Sequence, residues 1–192
     1  MNLILKNQNI EIDKSVNSLK NGKLILYPTD TVWGIGCDAT SSIAIENLYR
    51  LKKRDENKAL ICLVNSYKMI ESYIPKISID QLSYLKSKYP TTVIFENSVG
   101  ISEKALGEKR SIAMRIPKHD FCHQLITKFG KPIISTSANI SDKPSPSSFC
   151  QIENEILDGV DYVVNLEREK SSKATSKIIK IDSSGKVIII RP

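Results

Sequence analysis

Lys131-Pro-Ile-Ile-Ser-Thr-Ser-Ala-Asn-Ile-Ser-Asp-Lys-Pro144 holds a short apolar run that passes without a break into hydroxyl and amide side chains. Such a run reads as a buried strand, and the cluster behind it presents hydrogen-bonding groups at the strand's carboxyl end, where open α/β sheets place ligands. Ser135, Thr136, Ser137 and Asn139 taken alone equally suit a capped turn, because such side chains favour turns whatever the function. A serine nucleophile is not indicated: no GxSxG elbow surrounds Ser137, and neither histidine has triad context.

Working outward, Asp13 caps a helix over 14–21 that Gly22 closes, and a strand over 23–27 leads into the loop 28–36. Thr40 to Ser42 offer caps for a helix to about 53, with Ala44, Leu48 and Leu51 on one face. An apolar strand over 59–64 precedes one or two helices within 66–88 and a strand over 92–96; 100–110 reads as a mobile polar loop. A strand over 111–116 stops at Pro117, and Asp120 caps a helix to Phe129 that Gly130 ends. After the opening strand, over 132–135, come a helix over 148–157, a strand over 161–165 and a charged loop over 167–173. A hairpin of 176–182 and 186–191 turns at Ser183-Ser184-Gly185. Strands and helices interleave with no repeat, composition break or linker, so the expectation is one α/β domain over 1–192 with a mixed sheet.

The 192 residues, 41% apolar and 26% charged, suffice for one well-buried core. No apolar run approaches the roughly 20 residues of a membrane span, and no basic-then-hydrophobic leader opens the chain, so a cytoplasmic protein without membrane association is expected. Cys37, Cys62, Cys122 and Cys150 form no CxxC pair and read as reduced, mostly buried thiols. His119, Cys122 and His123 lack a second ligand pair, so helix packing explains them better than metal binding. The net charge of +7 favours an anionic partner, with nucleotide, tRNA and plain solubility all open. Gly34 and Gly36 lack the third glycine of a dinucleotide fingerprint, and there is no GxxxxGK[ST] loop. Any nucleotide is therefore held by scattered side chains, and Lys52 and Arg54 are placed to converge on one anion at a helix end.

Four motifs occur in order: Tyr27-Pro-Thr-Asp-Thr-Val-Trp-Gly-Ile-Gly36, Lys52-x-Arg54, Ser111-x-x-x-Arg115-x-Pro117, and Thr136-Ser-Ala-Asn139 followed by Ser141 and Pro144. Together they resemble the YrdC-like family of threonylcarbamoyl-AMP synthases over about residues 5–191. The resemblance implies the short, single-domain YrdC-like fold: a twisted, mixed, largely open sheet with flanking helices and a concave basic cleft. It implies that L-threonine and bicarbonate, or CO2, form N-carboxy-threonine, whose carboxylate attacks the α-phosphorus of ATP to give threonylcarbamoyl-AMP and pyrophosphate. Mg2+ would accompany ATP without a metal site on the protein. The product would pass to a tRNA threonylcarbamoyl-transferase complex for the tRNA threonylcarbamoyl-adenosine (t6A) modification, with direct tRNA contact also conceivable.

Matched residue by residue, the family pattern makes Lys52 and Arg54 the catalytic and nucleotide-binding cations, exposed in the cleft. It gives Thr29, Arg115, Ser137 and Ser176 to threonine or its carbamate, and Ser111, Asn139 and Arg191 to the nucleotide. Ser176 enters through Thr175-Ser-Lys-Ile-Ile179, and Lys52, Ser137 and Asn139 are expected to line one pocket. The chain departs from the pattern at Trp33, where tyrosine is usual, and at Asp55 and Ala59, where prolines are usual. Tyr89-Pro-Thr-Thr-Val93 looks like a shortened Trp-Pro-Gly-Pro segment before a threonine. An alternative on the same fold is a non-catalytic RNA-binding module. The carbamoyl-phosphate enzymes of hydrogenase maturation carry acylphosphatase and zinc-finger modules for which this sequence has no counterpart.

Overall fold

The computed structural model describes residues 3–55, 60–171, 175–182 and 184–192. The strands are β1 (Ile25–Tyr27), β2 (Gly34–Asp38), β3 (Ile61–Leu63), β4 (Thr91–Phe95), β5 (Ile112–Arg115), β6 (Ile133–Ser137), β7 (Tyr162–Val163), β8 (Lys177–Ile181) and β9 (Val187–Arg191). They form one open sheet in the order β7-β1-β2-β6-β3-β5-β4-β8-β9. β1/β7, β3/β5 and β4/β8 are parallel and the other neighbours antiparallel, which makes the sheet mixed.

The central strands are apolar on both sides, and their side chains alternate between two cores. Ile25, Tyr27, Leu63 and Ile133 face α1 (Leu3–Lys20) and α5 (Asp120–Phe129). Leu26, Ile35, Cys37, Cys62 and Ile134 face the other core, which takes in Leu48 of α2 (Ser42–Lys52), Ile70 of α3 (Tyr67–Tyr73), Leu85 of α4 (Ile79–Leu85) and Ile156 of α6 (Asn154–Gly159). Cys37, Cys62 and Cys122 are buried and Cys150 exposed; burial pushes the three buried thiols up, so they stay protonated. No helix among the described residues is long and apolar enough to cross a membrane.

Several boundaries differ from the sequence expectation. Asp13 does not cap α1 but lies inside it, exposed and ion-paired with Lys128 of α5. The helix starts eleven residues earlier because Ile12, Val16 and Leu19 continue one buried stripe against α5, and Gln8 Nε2 donates to Asp120 Oδ2 at 2.8 Å. Asp120 is the first helical residue of α5, and His119 occupies the cap position. Residues 34–36 belong to β2, not to a loop, and β6 runs to Ser137 because Ile35↔Thr136 and Gly34↔Ser137 continue the ladder. Residues 100–110 form two 3-10 turns pinned by buried Ile101 and Ala105, with Ser102 N donating to Ala39 O at 3.0 Å. The helix expected over 148–157 divides into a 3-10 turn, Phe149–Gln151, and α6. Ala59, Ser172, Lys173 and Ser183, named in the expected strand, charged loop and turn, lie outside the described residues.

Gly36 is required by packing: a Cβ there would lie 2.7 Å from Tyr27 Cε1 and 3.0 Å from Ile133 Cγ2. Gly36→Ala is expected to cost about 1–3 kcal/mol, the range for overpacking a core, measured as a lowered midpoint in chemical denaturation.

Candidate active site

The strand ends of β1, β2, β6, β3 and β5 with Thr175, Ser176, Ile178 and Arg191 enclose a cavity of about 190 Å³. Among the described residues its wall carries three guanidinium groups, Arg54, Arg115 and Arg191, and the hydroxyls of Thr29, Thr31, Ser135, Thr136, Ser137, Thr175 and Ser176, with no carboxylate or imidazole. A second cavity of about 380 Å³ shares Thr29, Thr31, Trp33 and Thr175 with it and adds Asp30, Pro90, Glu167 and Lys170.

Each arginine is held differently. Arg115 ends β5 almost fully buried: its Nη1 donates to Asp30 Oδ1 at 2.8 Å and its Nη2 to Thr31 Oγ1 at 3.3 Å, while Nε is buried with no partner among the described residues. Asp30 Oδ2 also accepts from Lys118 N at 3.0 Å, so one carboxylate ties the β1–β2 loop to the chain leaving β5. Arg191, at the end of β9, donates Nε and Nη2 to Ser176 O at 2.9 and 2.7 Å, and Nη2 to Ser176 Oγ at 3.1 Å. Burial, with the Arg115 charge second, pushes the Arg191 guanidinium down. Arg54 follows the left-handed cap residue Lys53 (φ 49°) and is pushed down chiefly by burial.

The loop after β1 folds on its own hydroxyls: Thr29 Oγ1 donates to Val32 O at 2.8 Å and accepts from Thr31 N at 3.0 Å. Ser176 Oγ lies 2.8 Å from Thr92 Oγ1, so the shortened segment before β4 still brings its second threonine against the site-lining serine. Trp33 is 2% exposed and packs on Phe149, ring centroids 5.0 Å apart, with part of its surface on both cavities.

Thr29, Arg54, Arg115, Ser137, Ser176 and Arg191 therefore come together on one wall. Lys52, Asn139 and Ser111 do not reach it. Lys52, expected to be exposed, is 1% exposed: its ammonium lies behind the wall, donating to Ser137 O at 2.6 Å and Asn139 O at 2.5 Å. Burial, with the Arg54 charge second, lowers its pKa to about 7. Asn139 turns its amide nitrogen onto Ile140 O and Lys143 O, leaving Oδ1 buried without a partner among the described residues. Ser111 precedes β5 at the end opposite Arg115, bonded through its N–H to Glu108 O at 3.0 Å.

Sequence reasoning missed Asp30, the counter-ion of Arg115, and Thr31. Their place in the Thr29-Asp30-Thr31 run after a strand was the available signal, but a pairing across 85 positions leaves no local trace.

A cavity walled by guanidiniums and hydroxyls can hold several anionic oxygens and can stabilise charge developing on a phosphoryl group. The Sua5/YciO/YrdC family model, described as "Telomere recombination", matches residues 17–192. The threonylcarbamoyl-AMP synthase of Photobacterium profundum is 34% identical over 160 residues, which are 81% of this chain and 86% of that protein. The putative threonylcarbamoyl-AMP synthase of Methanocaldococcus jannaschii is 36% identical over 176 residues, 89% of this chain and 80% of that one. The fold also matches the crystal structure of P. abyssi Sua5 complexed with L-threonine, at TM-score 0.83 and 24% identity. That match covers 94% of this chain and 53% of the Sua5 chain, so this chain spans about half the length of that protein. On the family match and these identities, the chain belongs to the Sua5/YciO/YrdC family.

Proposed function

We propose that this protein is an L-threonylcarbamoyladenylate synthase, converting L-threonine, bicarbonate and ATP to threonylcarbamoyl-AMP, pyrophosphate and water. The observation that carries the reading is the convergence of three arginines on one hydroxyl-lined wall, in a chain 34% identical to a protein named for this activity. Adenylation by a carbamate joins two anions, so it needs converging positive charge and enclosure from water, while the nucleophile is already ionised and needs no base.

In this reading Arg115, fixed by Asp30 and with Nε still unpartnered, takes the threonine carboxylate beside Thr29. Arg54 and Arg191 take phosphate oxygens and disperse the charge that builds on the leaving pyrophosphate. Ser137 and Ser176 contribute hydroxyls, while Lys52 acts from behind, holding the Ser137–Asn139 turn and adding its field. Mg2+ belongs to the substrate, carried on the triphosphate. The product is a reactive mixed anhydride, so a transferase that passes the carbamoyl group to tRNA is the expected consumer, and the reaction opens the t6A modification. A non-catalytic RNA binder is not favoured: Arg115, central to the cavity, is 5% exposed, whereas backbone binding needs cations facing solvent.

Pyrophosphate release from ATP should depend on both L-threonine and bicarbonate. Release that ignores threonine, or none from folded protein, would overturn the assignment.

A further inference from the structure

Tyr27 lies outside the cavity wall and is 1% exposed, yet its hydroxyl reaches the site. Its residue pairs with Gly34 across β1/β2, and Gly36 pairs with Ser135 across β2/β6. The phenol ring passes over β2 at Gly36, where the missing side chain leaves the path open: a Cβ there would meet Cε1 at 2.7 Å. With Phe121 on its flank (centroids 6.4 Å apart), the ring delivers its hydroxyl to Ser135 Oγ at 2.8 Å. Among the described residues that is the one hydrogen bond of the phenol, and it is also the one hydrogen bond of the Ser135 side chain.

The direction of this bond follows from burial. Were Ser135 to donate, the phenol proton would be stranded in the core without an acceptor, the more unfavourable arrangement. Tyr27 therefore donates, and the Ser135 hydroxyl, which lines the cavity and is 7% exposed, keeps its own proton free of any acceptor among the described residues. Ser135 stands next to Thr29: a Cβ on Gly34 would touch Ser135 Oγ at 3.0 Å and Thr29 Cγ2 at 3.6 Å.

We propose that Tyr27 is a positioning residue for the amino-acid end of the site: by donating to Ser135 Oγ it fixes that hydroxyl with its proton presented to the cavity, as a donor to an oxygen of L-threonine. This rests on the synthase reading above. The oriented hydroxyl enters the site with its direction already set, so it loses little rotational freedom when the substrate binds.

Calorimetric titration with L-threonine, run beside steady-state kinetics, tests it. Tyr27→Phe should bind L-threonine about tenfold more weakly and raise its KM in proportion, the upper range for one neutral hydrogen bond, with kcat and the KM for ATP little changed. Ser135→Ala should show a similar loss, and Tyr27→Phe/Ser135→Ala should be no weaker than Ser135→Ala alone, because both changes remove the same donor. Unchanged threonine affinity in Tyr27→Phe, or additive losses in the double variant, overturns the role of Tyr27 while leaving the synthase reading intact. Failure of the unmodified protein to bind L-threonine overturns that reading itself. If Tyr27→Phe does not fold, the comparison moves to Ser135→Thr, which keeps the oriented hydroxyl and should retain more affinity than Ser135→Ala; equal losses in both overturn the proposal.

Discussion

Arg115→Ala is expected to lower stability by about 3–5 kcal/mol, the range for breaking one half of a buried ion pair, and to reduce adenylate formation by about 10²–10³-fold. The stability loss follows from what stays behind. Asp30, its side chain 8% exposed, would keep the Lys118 N–H but lose the guanidinium 2.8 Å away, leaving a carboxylate nearly uncompensated in the protein. The activity loss follows from the position of Arg115, which lines the cavity while its planar fork is held by Asp30 and Thr31. Arg115→Lys separates the two effects: it keeps a charge for Asp30 and should recover much of the stability, but a single ammonium cannot reproduce the fork, so the KM for L-threonine should stay high. Denaturation midpoints and threonine-dependent pyrophosphate release give both numbers, and a normal KM in Arg115→Lys would remove Arg115 from the carboxylate site.

Lys52→Met is expected to affect fold and activity together, unlike Arg54→Ala, which alters a cavity-lining side chain and should leave stability near normal. Losing the ammonium strips a donor from Ser137 O and Asn139 O, at about 1–3 kcal/mol, and lets the Ser137–Asn139 wall shift, with adenylate formation down about 10²-fold. The pH dependence has a definite sign. Burial disfavours the ammonium, so the lysine binds its proton less tightly in the folded chain, at about 7, than in the unfolded chain, where it has its ordinary value of 10.5. The resulting penalty is complete below pH 7 and is relieved as pH rises from about 7 toward 10.5, so the unmodified protein should gain stability over Lys52→Met across that window. Catalysis runs the other way: loss of the proton above about pH 7 should lower kcat/KM for ATP. Bound triphosphate favours the ammonium, so the alkaline limb of kcat should lie at higher pH than that of kcat/KM. Superimposed limbs would place Lys52 out of electrostatic reach of the nucleotide.

Local chemistry made much of this molecule readable. The apolar run before Ser135 became β6, an interior strand of the sheet, and its hydroxyls line one cavity with those of Thr29 and Ser176. What stayed hidden depends on partners distant in sequence. The start of α1 carries no cap signal, and the helix is held to α5 by Gln8, Ile12, Val16 and Leu19, while residues 100–110 look polar until Ile101 and Ala105 find the core. Lys52 has the sequence context of a solvated helix end, and only the return of residues 137–139 over it, 85 positions later, makes it a buried clamp. The tie between Arg115 and Asp30 and the one between Tyr27 and Ser135 are likewise pairings across the sheet, without a local pattern.

The most direct test of the account is mass spectrometry of the product formed from ATP, L-threonine and 13C-bicarbonate. The prediction is threonylcarbamoyl-AMP carrying one 13C in its carbamoyl group, formed in equal amount with pyrophosphate and lost in Arg54→Ala despite its normal fold. Unlabelled product, or hydrolysis of ATP without an adenylate, would contradict the claim that this arginine-lined cavity joins a carbamate to the α-phosphate.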